Sequence, residues 1–182
     1  MITHKLTNIK TPRYKIDILH PKLPTSIKEQ YRLFGERLNI EAKPTNYKRH
    51  HFRSRLEARW AVVFDLLKIK WQYEPAMFDL GFATINGRQI YLGGYLVDFY
   101  LPDLEVWVEV KPIIPHCDSI EFAKVRRLVK HICIGASGFI FAALPRIALV
   151  YGNNESISPI MNHSSFNDAV KIAKNYQFVE KG

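Results

Sequence analysis

Two apolar, strand-forming segments joined by a tight turn constrain the fold of this chain more than any other feature. The first is RQIYLGGYLVDFYL at residues 88–101, the second is VWVEVK at residues 106–111, and PDLE lies between them. Segments of this kind pair as an antiparallel hairpin. We expect the first strand to be bent or bulged at Gly93-Gly94, because paired glycines in a strand weaken its regular pairing.

Charged side chains occupy facing positions of this predicted hairpin. If residues 102–105 form the turn, Asp98 faces Glu109, with Cβ atoms about 5 Å apart on one face. Lys111 projects from the same face because it lies two residues beyond Glu109. Two close carboxylates repel each other unless a cation lies between them, and Mg²⁺ prefers oxygen ligands of this kind. A different interpretation stays open, because V-E-V-K is also typical of a half-exposed strand with its charges in solvent.

An amphipathic helix is predicted ahead of the hairpin, at residues 52–67. Its apolar side chains recur in steps of four and three, which is typical of one buried helical stripe: Phe52, Leu56, Trp60, Val63 and Leu67. Glu57 precedes Trp60 by three residues, so it lies at the border of that stripe and can lean toward Asp98. It would then bind a second cation or hold a water. The alternative is a surface glutamate paired with Arg53 or Arg55.

The remaining elements predict a mixed sheet. We expect a strand over residues 71–80 interrupted at Pro75, a hairpin turn at Asn86-Gly87, and a helix from Ser119 to about His131. Two more strands, at 138–144 and 146–152, and a helix from Ser164 or Ser165 to about Tyr176 follow. The order helix, three strands, helix, strand predicts an α/β or α+β fold whose mixed central β-sheet is flanked by helices.

The first third of the chain differs from the rest in charge. The net charge is +9, and residues 1–55 carry all of it, with 13 Lys and Arg against 4 Asp and Glu. We expect residues 1–23 to form an extended arm, a short helix to run from Thr25-Ser26 to about Leu38, and residues 41–51 to be a basic linker. Residues 1–47 are thus a basic arm and residues 48–182 a domain.

Such a basic segment suits a polyanion such as nucleic acid, although a solvated tail that only aids solubility has the same composition. Candidate phosphate contacts lie in and beside the two predicted helices: Lys48, Arg49, Arg53, Arg55, Arg59, Lys124 and Arg127. Glu74 is a weaker site candidate: it would contact Lys111 or Arg59, or it only ends a strand.

Several other classes of protein are disfavoured. Two cysteines form no disulfide framework, and the chain has neither a secretory signal nor an apolar run of membrane-spanning length, so we expect a cytoplasmic protein with no membrane partner. Four residues invite a zinc interpretation, but they lack the paired spacing of zinc sites: His116, Cys117, His131 and Cys133. We expect Cys133 to face the core.

Asp98 followed by Glu109-Val110-Lys111 resembles the PD-(D/E)XK nuclease superfamily. The segment FRSRLEARWAVVFDLLKIKWQYEP at residues 52–75 is similar to a phage and bacterial branch in which an S-R-L-E-A-R-W-A helix precedes this hairpin. The resemblance covers about residues 48–130, with Val97 where a proline usually precedes the aspartate. It implies a restriction-endonuclease-like core.

The same resemblance implies a metal-dependent endonuclease that hydrolyses phosphodiester bonds of DNA, including branched or junction DNA. Asp98 and Glu109 would be metal ligands, with the backbone carbonyl of Val110 as a further ligand. Lys111 would be the catalytic lysine, and Glu57 would serve a second ion. The expected cofactor is Mg²⁺, for which Mn²⁺ would substitute.

Two alternatives remain open at this point. The chain would be a catalytically inactive nucleic-acid-binding module, or the nuclease subunit of a larger recombination or transposition complex. Junction-cutting relatives act as dimers, so a homodimer is also among the expected assemblies.

Overall fold

The computed structural model describes residues 42–178, which form helices packed on a central mixed sheet. The helices are α1 (Arg55–Leu66), α2 (Ile120–Arg127), α3 (Ser158–Met161) and α4 (Phe166–Asn175). The strands are β1 (Thr45–Tyr47), β2 (His50–Phe52), β3 (Gln72–Tyr73), β4 (Met77–Asp79), β5 (Phe82–Ile85), β6 (Arg88–Tyr91), β7 (Gly94–Leu96), β8 (Phe99–Leu101), β9 (Val106–Val110), β10 (Ser137–Phe141) and β11 (Ile147–Tyr151). Short 3₁₀ turns cover Pro102–Leu104 and Asn154–Ile157, and a π-helical segment, Leu128–Ile132, follows α2.

Strand β9 lies at the centre of a five-stranded sheet with the order β11-β10-β9-β8-β3. It is antiparallel to β8 and parallel to β10, so the sheet is mixed as predicted. The predicted hairpin register is confirmed, because Leu101 pairs with Val106 and Tyr100 pairs with Trp107. The 3₁₀ turn at Pro102–Leu104 closes this hairpin and therefore fixes which side chains share a face.

Each face of the sheet has its own apolar core, because successive residues of β9 point to opposite sides. Val106, Val108 and Val110 pack with α1 and α4, whereas Trp107 packs with α2. The predicted helix start at Phe52 is wrong, because Phe52 ends β2 and α1 begins at Arg55 after its cap Ser54. The predicted apolar side chains do face the core: Phe52, Trp60, Val63 and Leu67 are buried, and Leu56 is partly buried. The indole N–H of Trp60 donates to the carbonyl oxygen of Ala142 at 2.9 Å, which ties α1 to the strand β10 side of the sheet.

The predicted long strand at 88–101 is wrong in its continuity, because the structure divides it into β6, β7 and β8 in three separate sheets. Strand β6 forms a hairpin with β5, closed at Asn86-Gly87 with positive φ angles as predicted, while β7 pairs with β4. Gly93, with φ of 66°, redirects the chain between β6 and β7.

Two further predictions need correction. The predicted linker at 41–51 contains the β1–β2 hairpin, which straddles the predicted boundary between residues 47 and 48. The predicted helix from Ser119 to His131 ends as an α-helix at Arg127 and continues as the π-helical segment.

Other boundaries agree with the predictions. Ser119 caps α2, Pro145 separates β10 from β11, and α4 begins directly after Ser165. The predicted arm at 1–23 and the helix from Thr25-Ser26 to Leu38 lie outside the described residues. Within residues 42–178, the helices are too short or too polar for any of them to cross a membrane.

We predict that Phe64→Ala lowers the free energy of unfolding by about 3–5 kcal/mol, because it leaves a cavity in the core beneath α1. Phe64 is fully buried and its ring contacts the rings of Trp60, Phe99 and Phe141. Urea denaturation measures the change. The control Phe82→Ala removes the same atoms from a side chain that is 60% exposed, and should cost under about 1 kcal/mol. Equal losses would contradict the assigned core.

Candidate metal centre

Asp98 lies immediately before β8 and reaches across to β9. Its backbone carbonyl accepts a hydrogen bond from the N–H of Glu74 at 2.9 Å, which extends the β3–β8 pairing by one residue. Its carboxylate Oδ2 accepts the backbone N–H of Val110 at 2.6 Å, and Oδ1 lies 2.7 Å from Nη2 of Arg53. Asp98 is only 3% exposed. At the end of the β8–β9 hairpin, its buried carboxylate therefore accepts the Val110 N–H in place of a backbone carbonyl.

Glu109 is the second buried carboxylate and lies one residue before the end of β9. Its Oε1 lies 2.6 Å from Nζ of Lys111, and its Oε2 accepts a hydrogen bond from the Tyr95 hydroxyl at 2.7 Å. The side chain of Lys111 is 33% exposed, so its ammonium group lies where the buried carboxylates meet solvent. The alternative in which Glu109 lies on a solvent face is therefore wrong.

Glu57 is the third buried carboxylate and belongs to the first turn of α1. Ser54 caps this helix, since its Oγ accepts the N–H of Glu57 at 3.2 Å and donates to Oε1 of Glu57 at 2.6 Å. The Tyr73 hydroxyl donates to Oε2 at 2.6 Å. Both carboxylate oxygens thus have hydroxyl donors, and Glu57 is a buried residue, not a surface glutamate.

The charges of this cluster act strongly on one another. Burial raises the pKa of Asp98 well above its usual range, and the nearby carboxylates of Glu109 and Glu57 raise it further. The Val110 N–H and Lys111 act in the opposite direction but do not outweigh them. Asp98 therefore retains its proton to a higher pH than an exposed aspartate does when no added cation is bound.

The two cations and the tyrosine of the cluster keep their protons. Burial alone would lower the pKa of Lys111, but the carboxylates of Glu109 and Asp98 outweigh it and the pKa is raised. Burial likewise opposes the charge on Arg53, yet its hydrogen bond with Tyr73 and the carboxylate of Asp98 leave its pKa raised. Burial raises the pKa of Tyr95, and Glu109 adds to this effect, so the hydroxyl remains a donor.

The carboxylate oxygens of this cluster match some of the requirements of a hard divalent cation. Asp98 and Glu109 supply buried carboxylate oxygens from neighbouring strands, and one or two carboxylates with waters are the usual protein ligands of Mg²⁺. Arg53 pairs with Asp98 and Lys111 pairs with Glu109, whereas the oxygens of Glu57 accept hydrogen bonds from the neutral hydroxyls of Ser54 and Tyr73. The three carboxylates do not converge within 4.8 Å of one another, since each is held by its own hydrogen-bond partners.

A separate group of possible metal ligands lies before α2. Among residues 42–178, His116, Cys117 and Asp118 are the only set of three such side chains whose ligand atoms all lie within 4.8 Å. Asp118 is largely exposed, and Nδ1 of His116 already accepts the N–H of Asp118 at 3.3 Å. Cys133 is buried in the core as predicted and takes no part in this group.

The predicted phosphate contacts lie at several places around this site. Arg53 is engaged by Asp98 and Glu74, so Glu74 contacts Arg53 and not the predicted partners Lys111 or Arg59. Lys48 pairs with Asp65 at 2.8 Å, near the opposite end of α1 from Glu57.

The other predicted phosphate contacts lie in the β1–β2 turn, on α1 and on α2. Arg49 is exposed in the β1–β2 turn, and Arg55 and Arg59 are half-buried on α1. Lys124 lies with its Nζ 5.8 Å from the ring centre of Tyr95, beside Glu109. Arg127 donates from Nε to the carbonyl of Leu80 at 3.1 Å.

Three residues that donate hydrogen bonds to the buried carboxylates were not predicted from the sequence: Ser54, Tyr73 and Tyr95. A capping signal at Ser54, three residues before Glu57, was present in the sequence. A tyrosine within an apolar segment also needs a partner for its hydroxyl when it is buried. Nothing in the sequence, however, indicates that Tyr95 contacts Glu109, because the chain changes direction twice between β6 and β8.

Comparisons of this chain with protein-family models, with curated proteins and with solved structures found no match.

We predict that removing Asp98 changes the pH dependence of stability. Because its pKa is raised in the folded state, the folded protein holds a proton that the unfolded chain releases above about pH 4. The free energy of unfolding of the metal-free protein should therefore fall as pH rises from about 4 toward the raised pKa. Asp98→Asn should lose this component, measured by urea denaturation with a chelator between pH 5 and 8.

Asp103→Asn is the matched control, since Asp103 is an exposed carboxylate in the turn before β9. Its stability should follow the wild-type pH dependence. Parallel curves for wild type and Asp98→Asn would show that Asp98 does not titrate in this way.

Proposed function

We propose that this protein is a metal-dependent endonuclease of the PD-(D/E)XK type that hydrolyses phosphodiester bonds of DNA. The observation that carries this proposal is the pair of buried carboxylates Asp98 and Glu109, held on neighbouring strands with Lys111 beside them. Buried charges are costly to a fold, so three buried carboxylates in one cluster favour a role in binding a cation. The resemblance of this motif to the nuclease superfamily supports the same function.

Asp98 and Glu109 would hold Mg²⁺, with the carbonyl of Val110 as a further ligand and Glu57 available to a second ion. When bound, such a cation lowers the pKa of a water molecule and neutralises charge on phosphate oxygens. Mn²⁺ offers the same preference for oxygen ligands and would substitute.

Residues of the chain supply the rest of the chemistry. Lys111 stays protonated and partly exposed, so it can stabilise negative charge that develops on the phosphate and orient the attacking water. Tyr95 and Arg53 are positioning residues, because they hold the carboxylates of Glu109 and Asp98 by direct contacts. Their hydrogen bonds keep both acids in one orientation before substrate arrives.

DNA is supported as the substrate by charge near the site. Arg55 and Arg59 lie on the helix that carries Glu57, and Lys124 lies beside Tyr95. Contacts of these side chains with phosphates would position a strand without reading its sequence. A homodimer, or a larger recombination or transposition complex, would add further DNA contacts and favour branched or junction substrates.

A non-catalytic nucleic-acid-binding module is the second candidate. It is favoured by the ion pairs that Arg53 and Lys111 make with Asp98 and Glu109, since these neutralise part of the buried charge within the chain. Such a module would bind DNA and leave it intact at every Mg²⁺ concentration. Cleavage that appears only after a partner protein is added would favour the subunit of a larger complex.

We predict cleavage by the purified protein with Mg²⁺ in a panel of plasmid, linear duplex, single-stranded and four-way-junction DNA. Asp98→Asn and Lys111→Ala should each lower the cleavage rate by at least about 100-fold, because each removes a charge next to the reacting phosphate. Gel electrophoresis of labelled substrate measures the rate. Asp103→Asn and Lys70→Ala, an exposed ion pair near the same hairpin, are the matched controls and should keep the wild-type rate. Full cleavage by either site variant would refute the assignment.

We also predict that Mg²⁺ or Mn²⁺ binds the folded protein without DNA. Ligand binding to the folded state raises the melting temperature with increasing cation concentration. Glu109→Gln should abolish this rise, because a neutral amide is a poorer ligand for a hard cation. Glu155→Gln changes an exposed glutamate far along the chain and serves as the control. A cation effect that survives in Glu109→Gln would place the ion elsewhere, with His116–Asp118 the first place to test.

A further inference from the structure

A pocket of about 310 Å³ opens between α2 and the β5–β6 hairpin, outside the carboxylate cluster. Thr84 and Asn86 line its hairpin side. The helical side is basic and carries Arg126, Arg127, Lys130 and His131. Asp118 is the one carboxylate in the lining, so the pocket has a net positive charge.

The basic side chains of this pocket are spaced so that they repel one another. Arg126, Arg127 and Lys130 line the same pocket, and like charges held close together repel one another. Slight burial lowers the pKa of His131, and the charges of Arg127 and Lys130 lower it further. In the part of the chain that the structure describes, Arg126, Arg127 and Lys130 form no ion pair. A bound anion would relieve this repulsion.

One member of the pocket is held in place by the fold. Nε of Arg127 donates to the carbonyl of Leu80, which anchors this half-buried side chain between the helix and the segment that leads into β5. Arg126 and Lys130 are exposed at the helix surface. The pocket thus combines one fixed guanidinium group with two exposed cations, a combination that suits the tetrahedral oxygens of a phosphate.

Helix α2 connects this pocket to the carboxylate cluster. At its beginning, Glu121 lies close enough to raise the pKa of Lys111, and Lys124 lies against the ring of Tyr95. The pocket lining follows the same helical segment, from Ser119 to His131.

We infer that the pocket between α2 and the β5–β6 hairpin is a second phosphate-binding site, which holds the backbone of the same DNA substrate away from the scissile bond. This inference rests on the proposed function for its substrate, and it adds a contact that fixes where the strand crosses the carboxylate cluster. Arg126 and Lys130 contact the phosphate directly. Arg127 completes the site from its anchored position.

The test is the DNA affinity of the double variant Arg126→Ala/Lys130→Ala, measured with a chelator so that no cleavage occurs. Both residues are exposed, so the variant should fold, and circular dichroism checks this. Fluorescence anisotropy with labelled duplex is recorded at several salt concentrations. We expect an affinity loss on the order of tenfold and a salt dependence reduced by about 2 in log–log slope, about 1 for each phosphate contact.

Lys171→Ala/Lys174→Ala is the matched control, because it removes the same charge from exposed positions of α4, which packs with α1 on the other core. The control should keep the wild-type slope. An unchanged slope in Arg126→Ala/Lys130→Ala, or an equal loss in both double variants, would overturn the inference.

The same measurements separate this inference from the proposed function. Wild-type protein that binds DNA through the pocket but never cleaves it would refute the nuclease and leave the phosphate site standing. Cleavage that depends on Asp98, together with an unchanged salt-dependence slope in the pocket variant, would support the nuclease and overturn the phosphate site.

Discussion

Mutual repulsion between the buried carboxylates of Asp98 and Glu109 is the constraint on which the rest of the site depends. Both acids lie almost fully out of water on adjoining strands, where charge is costly without partners. The chain supplies partial compensation through Arg53, Lys111, Tyr95 and the N–H of Val110. Burial raises the pKa of Asp98, and the carboxylates of Glu109 and Glu57 raise it further, which supports the proposal of a bound divalent cation.

The apolar cores hold these acids in place. Residues of β9 alternate between the two cores, so Val108 and Val110 are fixed beneath α1 while Trp107 is fixed beneath α2. A slip of one residue would exchange these faces and expose the valines, which makes the register costly to change. Glu109, on the Trp107 side, therefore has no freedom to turn toward α1. Rigidity of this kind is what a preorganised site requires.

Much of the core could be predicted because it depends on local patterns. The apolar stripe of α1, the turn at residues 102–105 and the pairing of Tyr100 with Trp107 follow from periodicity and turn length alone. The division of residues 88–101 into three strands could not be predicted, because the apolar sequence is also compatible with one long strand. Gly93 and competing pairing with β4 and β5 divide it, and those partners are distant in sequence.

The sequence by itself determined which charged residues of the hairpin belong to the candidate site, since Asp98, Glu109 and Lys111 are charged positions within strand-forming apolar segments. It also determined their shared face, because side chains alternate strictly along paired strands. Only the tertiary structure decided what each acid contacts. Arg53, Tyr73 and Tyr95 reach the carboxylates from other elements, and hydrogen bonds between distant segments depend on how helices and hairpins pack, which no local pattern encodes.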